Sequence, residues 1–171
     1  MLIPGRPVPP LALETVDHGP WSLAAGASER FWLLVFYRGF HCPICREYVS
    51  ELDRLGDEFK SIGVQPVAIS MDSAERAQES VKVWGIERVP VVHGLSREDA
   101  RVWGLFVSSA VSGNEPEQFS EPALFLVRPN GVLYGSTVNS MPFARATFSD
   151  LLIAVRNIIE FDPPERGKLT G

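Results

Sequence analysis

The chain has 171 residues, 45% of them hydrophobic and 22% charged, which suits one α/β domain that buries a core without disulfide or metal staples. A formal charge of −5 argues against nucleic acid or an anionic membrane as partner. No apolar run approaches the roughly 18 residues of a membrane span. The opening MLIPGRPVPPLALE lacks the basic start and apolar block of a signal peptide, so a cytoplasmic protein is expected.

The residues through Pro10 are proline-rich and extended. LALET and PWSL flank Asp17-His18-Gly19, a turn signal, and read as a small N-terminal hairpin; His18 in that turn is expected to be inert. FWLLVFY, residues 31–37, is a continuous apolar run suited to a central strand buried on both faces. From Pro43, the residues Tyr48, Leu52, Leu55, Phe59 and Ile62 recur at helical spacing, and Gly63 supplies a stop. VQPVAISM reads as the next strand and SAERAQESVKVWGI as a helix begun by Ser73. RVPVVHGL and REDARVWGLF repeat the strand-then-helix order, which points to a parallel sheet covered by helices. Trp32, Trp84 and Trp103 fall at apolar positions and are core candidates.

Residues 107–121, VSSAVSGNEPEQFSE, are long for a loop in a compact domain, so a lid, an interface or a mobile segment is expected there. ALFLV and GVLYGSTV surround Arg128-Pro129-Asn130-Gly131 and read as a second hairpin. Phe148, Leu151, Leu152, Val155, Ile158 and Ile159 share one face of a closing helix, with Thr147 and Asp150 as a capping box. A single domain spans residues 1–171, and its last residues, 162–171, are polar and expected to be flexible.

The chain's two cysteines, Cys42 and Cys45, lie where the apolar strand meets the first helix. With Pro43 at the first helical position, Cys42 becomes the N-cap and Cys45 lies in the first turn. Unpaired N–H groups and the positive end of the helix dipole then favour a thiolate at Cys42. Arg38, His41 and Arg46 add nearby positive charge. The spacing lets the two sulfurs close a reversible disulfide across one helical turn. As a staple so small a loop would add little stability. The competing readings are a pair of buried small hydrophobes and a metal site. A metal site would need His18, His41 or His93, because two thiolates are too few ligands and no second C-x-x-C exists. Redox chemistry is the favoured reading, with no metal.

VFYRGFHCPIC followed by an amphipathic helix resembles the peroxiredoxin-like branch of the thioredoxin superfamily, the redoxin group of alkyl hydroperoxide reductase and thiol-specific antioxidant proteins. PVAISMDSAERA, PVVHGLSREDARVWGL, EPALFLVRPNGVLY and NSMPFARATFSDLLIAV extend the likeness over nearly the whole chain. The resemblance implies a single thioredoxin-like α/β fold, a central mixed β-sheet flanked by helices with an N-terminal β-hairpin extension.

Laid on the peroxiredoxin pattern, the proline after F-Y falls on Arg38, the threonine on Cys42 and the peroxidatic cysteine on Cys45. The family's arginine falls on Pro122, which instead fits the cis-proline that faces the C-x-x-C in thioredoxins. C-P-I-C also resembles the C-P-Y-C of glutaredoxins, in which the first cysteine attacks. In that layout residues 139–147 border the thiols. Met141, Pro142 and Phe143 would form an apolar wall or plug the closing helix, and Arg145 would supply a cation to a thiolate or a substrate anion.

The expected function is a thiol-dependent antioxidant or oxidoreductase that cycles Cys42 and Cys45 between dithiol and disulfide. Cys42 attacks a disulfide or hydroperoxide and Cys45 resolves. Arg38, His41, Arg46, Pro122, Phe143 and Arg145 tune the site or line a substrate groove. One alternative reverses the cysteines, with Cys45 peroxidatic and Cys42 resolving. Another, outside enzymes, is a redox-silent or metal-holding interaction module. The expected partners are the oxidised substrate and an external thiol reductant such as a thioredoxin or glutathione system, with no prosthetic cofactor and a homodimer left open.

Overall fold

A computed structural model describes residues 1–17, 19–23 and 28–169; His18 lies outside the described residues. The strand at the centre explains the rest. β3 (Phe31–Phe36) is buried along its whole length, pairs parallel with β4 (Val64–Ile69) and pairs antiparallel with β8 (Ala123–Val127). Because side chains alternate faces along a strand, Phe31, Leu33 and Val35 join one core cluster and Trp32, Leu34 and Phe36 the other. A continuous apolar run is what a strand covered on both faces requires.

The first cluster takes up α1 (Pro43–Arg54), α2 (Gly56–Ser61), α3 (Ala74–Trp84) and α5 (Phe148–Phe161). The second takes up α4 (Arg97–Val102) and the following Trp103, together with Leu11 and Leu23. Trp32 and Trp103 are buried, and Trp84 packs against the first cluster from a partly buried position. No described helix is long and apolar enough to cross a membrane.

The N-terminal hairpin forms from β1 (Ala12–Thr15) and β2 (Gly19–Ser22), and its β1 joins the main sheet by pairing with β5 (Val91–His93). With β9 (Leu133–Val138) the sheet has seven strands in the order β2-β1-β5-β4-β3-β8-β9. The βαβ units and the C-terminal hairpin thus assemble into the mixed, helix-flanked sheet expected. Ser73, Ser96 and Thr147 cap α3, α4 and α5 with their side-chain oxygens, as N-caps of this type do.

Two expectations change. The single helix expected from Pro43 to Ile62 is broken at Leu55. The break lets Asp53 Oδ1 accept the backbone N–H groups of Glu87, Arg88 and Val89 at 3.1, 2.7 and 2.9 Å. It also brings Gly56 so close that a Cβ there would lie 3.1 Å from both Arg88 Cβ and Val89 Cγ2.

The long loop at 107–121 is instead a second small sheet, β6 (Val107–Ser109) paired antiparallel with β7 (Gln118–Ser120). The described part of the tail after Phe161 makes several contacts. Glu165 pairs with Arg128 at 2.8 Å and with Lys168 at 2.6 Å, and the Tyr134 hydroxyl donates to the Pro163 carbonyl at 3.2 Å.

Candidate active site

β3 ends beside the site, and the five residues after Tyr37 carry the chain to the first turn of α1. Gly39 adopts φ +122, and a Cβ there would lie 2.6 and 2.8 Å from the two carboxylate oxygens of Asp72. No other residue fits. The Asp72 carboxylate, buried in the β4–α3 connection, accepts the Phe40 N–H at 2.8 Å and the Arg76 Nε–H at 3.1 Å. A carboxylate from one connection therefore fixes the backbone of the next.

Cys42 sits where the sequence places it. Its backbone is extended (φ −97, ψ 106), Pro43 follows in the first turn, and its Sγ accepts the Cys45 backbone N–H at 3.2 Å. This is an N-cap made with sulfur. Both thiols are free, and both are buried, Cys42 with 2% of its surface exposed and Cys45 with none.

The two sulfurs are electrostatically unlike. The Cys42 thiol is lowered to about 6, chiefly because the Cys45 thiol donates a hydrogen bond to it. Burial opposes that shift, while the Cys45 backbone N–H and the charges of Arg38 and Arg145 add to it. Cys45 moves the other way. Donating to Cys42, burial and the neighbouring Cys42 charge all raise it, against the Arg38 backbone N–H and the Arg145 charge. At neutral pH the pair holds one thiolate, at Cys42, and one thiol, at Cys45.

Of the three expected cations only Arg38 acts on Cys42. His41 is depressed by burial and by the Arg38 charge, so at neutral pH the ring is uncharged and adds no positive field. It packs on Phe119 with ring centroids 4.7 Å apart, and both ring nitrogens are enclosed without a hydrogen-bond partner among the described residues. Arg46 is exposed on α1, turned away because Cys45, Val49 and Leu52 take the buried face of that helix.

Arg38 is held by the β6–β7 hairpin. Its Nη2 pairs with Glu115 at 3.1 Å, its Nε lies 3.5 Å from Glu121, and its guanidinium carbon is 4.5 Å from the centroid of the Phe119 ring. Glu121 accepts from Ser108 Oγ at 2.7 Å, and Glu115 accepts the Val111 N–H at 2.8 Å. Sequence reasoning missed Asp72, Glu115, Phe119 and Glu121. One signal was available: Phe119 and Glu121 are two apart at a strand, and so share a face.

The segment before α5 supplies the second cation. Ala144 takes a left-handed conformation (φ 59), and Arg145 Nη2 donates to the Ile44 carbonyl at 3.3 Å. The guanidinium carbon lies 3.7 Å from the centroid of the Tyr48 ring. The Tyr48 hydroxyl donates in turn to the Ala146 carbonyl at 2.9 Å. Pro142 and Phe143 line an open groove of about 410 Å³ with Ile44, Tyr48, Glu47, Glu51, Arg54 and Arg145. Phe143 is exposed, so it is a groove wall rather than a plug, and Met141 is exposed and does not line that groove.

Pro122 is buried at the start of β8, but its peptide bond is trans, not the cis bond expected. The trans bond fits the extended run from β7 into β8, where the Pro122 carbonyl accepts the Asn139 N–H at 2.9 Å. Among the described residues no group of three or more His, Cys, Asp or Glu side chains is placed to hold a metal ion.

A sequence model of the AhpC/TSA family matches residues 4–136, which include both cysteines, Arg38 and the β6–β7 hairpin. Solved structures share the fold at low identity. The peroxidoxin BcpB from Mycobacterium tuberculosis is 18% identical, covers 92% of this chain and 99% of its own, and superposes with a TM-score of 0.75. A reduced 2-Cys peroxiredoxin from Plasmodium vivax gives 19%, 94%, 99% and 0.77, in the same order. A peroxiredoxin-like protein from Aquifex aeolicus gives 15%, 92%, 88% and 0.74.

Proposed function

The chain belongs to the AhpC/TSA family of thiol-dependent peroxidases and oxidoreductases, and from that premise we propose a hydroperoxide-reducing dithiol cycle in which Cys42 attacks and Cys45 resolves. One observation carries the assignment: Cys42 is the helix N-cap and holds the thiolate, while Cys45 is its proton-bearing neighbour. The near-complete burial of Cys42 supports a small oxidant over a protein disulfide, whose sulfur would have to reach a site 2% exposed.

In the first step the Cys42 thiolate attacks the terminal oxygen of ROOH. An S–O bond forms, the O–O bond breaks, and RO⁻ leaves to take a proton from water, so Cys42 becomes a sulfenic acid and the peroxide becomes ROH. The Cys42 negative charge is then gone, and with it the hydrogen bond and repulsion that hold Cys45 protonated. The Arg38 backbone N–H and the Arg145 charge remain to favour a Cys45 thiolate. That thiolate attacks the Cys42 sulfur, the S–O bond breaks, hydroxide leaves and takes up the proton that Cys45 released to become water, and a Cys42–Cys45 disulfide forms. An external thiol reductant, a thioredoxin or glutathione system, returns the dithiol by exchange.

The cycle needs no prosthetic group. We place the protein in the cytoplasm, where a thiol-reducing pool can sustain such a cycle. Assembly as a homodimer is part of the same proposal, by analogy with the family.

The test is a single-turnover titration. One equivalent of hydrogen peroxide should consume two thiols and yield a disulfide that peptide mapping assigns to Cys42 and Cys45. In Cys45→Ser the sulfenic acid should be trapped by dimedone on Cys42. A dimedone adduct on Cys45 in Cys42→Ser, with none on Cys42 in Cys45→Ser, would establish the reversed order.

A further inference from the structure

Cys42 can cap α1 only because the residues before it turn sharply. Gly39 takes φ +122, and the Cys42 N–H donates back to the Gly39 carbonyl at 3.1 Å, closing a turn over residues 39–42. That turn delivers the Cys42 sulfur to the Cys45 N–H, 3.2 Å away. The Phe40 N–H, inside the same turn, finds its acceptor 32 residues along the chain, on Asp72.

Asp72 grips the turn from the β4–α3 connection. Its side chain has no exposure to solvent, its Oδ2 accepts the Phe40 N–H at 2.8 Å, and its two oxygens leave no room for a Cβ on Gly39. Arg76, in the first turn of α3, donates its Nε–H to Oδ1 at 3.1 Å, and the Ser70 hydroxyl donates to Oδ2 at 3.4 Å. The same helix covers the Phe40 ring: the Arg76 guanidinium carbon lies 5.9 Å and the Trp84 ring 6.1 Å from its centroid. A carboxylate is costly to bury unless its oxygens are bonded, and these bonds set the backbone just ahead of Cys42.

We propose that Asp72 is a positioning residue for the Cys42 thiolate: by gripping the Phe40 N–H it fixes the turn over residues 39–42 and so aims the sulfur at the Cys45 N–H. The role concerns the thiol itself and holds whichever oxidant Cys42 meets. Charge and geometry pull in opposite directions here. The groups that shift Cys42 are Cys45, Arg38 and Arg145, while the Asp72 charge acts on His41 and Tyr37. An anion near a thiolate disfavours ionisation, so the field of Asp72 works against Cys42. Its support passes through the backbone and outweighs that field.

The experiment follows the pH dependence of iodoacetamide alkylation in the full, reduced chain, with the label mapped to Cys42. In Asp72→Ala, which removes both charge and acceptor, the midpoint should rise by about one pH unit, the effect of weakening one hydrogen bond to a thiolate. The plateau rate should rise by no more than about threefold, because nucleophilicity follows basicity only weakly. Asp72→Asn removes the charge and keeps an acceptor, so its midpoint should lie closer to that of the parent. Gly39→Ala keeps every charge but crowds the same turn. It should also raise the midpoint, and it decides the matter if the Asp72 variants fold poorly. A midpoint that falls in Asp72→Ala marks a counter-charge and overturns the proposal. A midpoint left in place while the thermal midpoint drops marks a purely structural carboxylate and overturns it too. An asparagine variant displaced as far as the alanine variant assigns the effect to the charge, with the same consequence.

Discussion

Two arginines act on the same buried thiol pair, and their surroundings differ. Arg38 comes from the end of the central strand and meets two carboxylates and an aromatic ring from the β6–β7 hairpin. Arg145 comes from the segment before the last helix and meets a backbone carbonyl, a tyrosine ring and no carboxylate among the described residues. Both favour the Cys42 thiolate. Arg38 also holds the hairpin against the active-site loop through its pairs with Glu115 and Glu121. Arg38 Nε and Arg145 Nη1 are alike in being enclosed without a hydrogen-bond partner among the described residues. The two cations therefore share an effect on the thiol and differ in how many carboxylates hold them.

The comparison is broken most completely by removing the group on which both arginines act. Cys42→Ser should reduce peroxide turnover to background. Its thermal midpoint should stay near that of the parent, because a serine hydroxyl can accept the Cys45 N–H as an N-cap in place of sulfur. Loss of cooperative unfolding in that variant would show that the sulfur is structural.

The next largest effect is on stability and should separate the two cations. Arg38→Ala strands Glu121, whose side chain is 6% exposed, beside Glu115, and should cost about 3 kcal/mol in urea unfolding, as breaking a buried pair does. Arg145→Ala removes no ion pair and should cost less than about 1 kcal/mol. Equal costs would erase the distinction between them.

The pH dependence sharpens it further. Cys42 is depressed in the folded protein, so its thiolate contributes stability that is fully present above the unfolded thiol's ordinary value, about 8.5, and is lost as pH falls through about 6. Alkylation of Cys42 should therefore reach half its plateau rate near pH 6. Both Arg38→Ala and Arg145→Ala should move that midpoint upward, and a midpoint left in place by either variant would remove that arginine from the thiol's field.

The smallest effect belongs to Glu115→Gln. Freed of one carboxylate, Arg38 should act more fully on Cys42, and the alkylation midpoint should drop slightly with the thermal midpoint nearly unchanged. An upward move would mean that Glu115 matters as a positioning group rather than as a counter-charge.

Much of this protein is written locally in its sequence. The alternation of apolar strands and amphipathic helices, the serine and threonine caps, and Pro43 after Cys42 each depend on residues within a few positions of one another, so the mixed sheet and the cysteine N-cap could be read directly. Even there the reading erred where a distant group intervened. The helix from Pro43 breaks at Leu55 because Asp53 and Gly56 are claimed by residues 87–89.

The state of the site depended on tertiary contact. Arg38 meets Glu115 across 77 residues, Phe40 meets Asp72 across 32, and Arg145 meets Ile44 across 101. Spacing along a chain carries no record of such pairs, because folding decides which loops share an edge of the sheet. His41 shows the consequence. Its sequence position promises a positive charge beside the thiols, yet burial and the charge of Arg38 leave it neutral on Phe119. The sequence alone determined where on the fold the two sulfurs sit. The Cys42 charge rests on its N-cap place and the Cys45 hydrogen bond. The neutral state of His41 and the anchoring of the two arginines were decided by burial and long-range pairing, which change the free energy of a charge without changing any residue nearby in the chain.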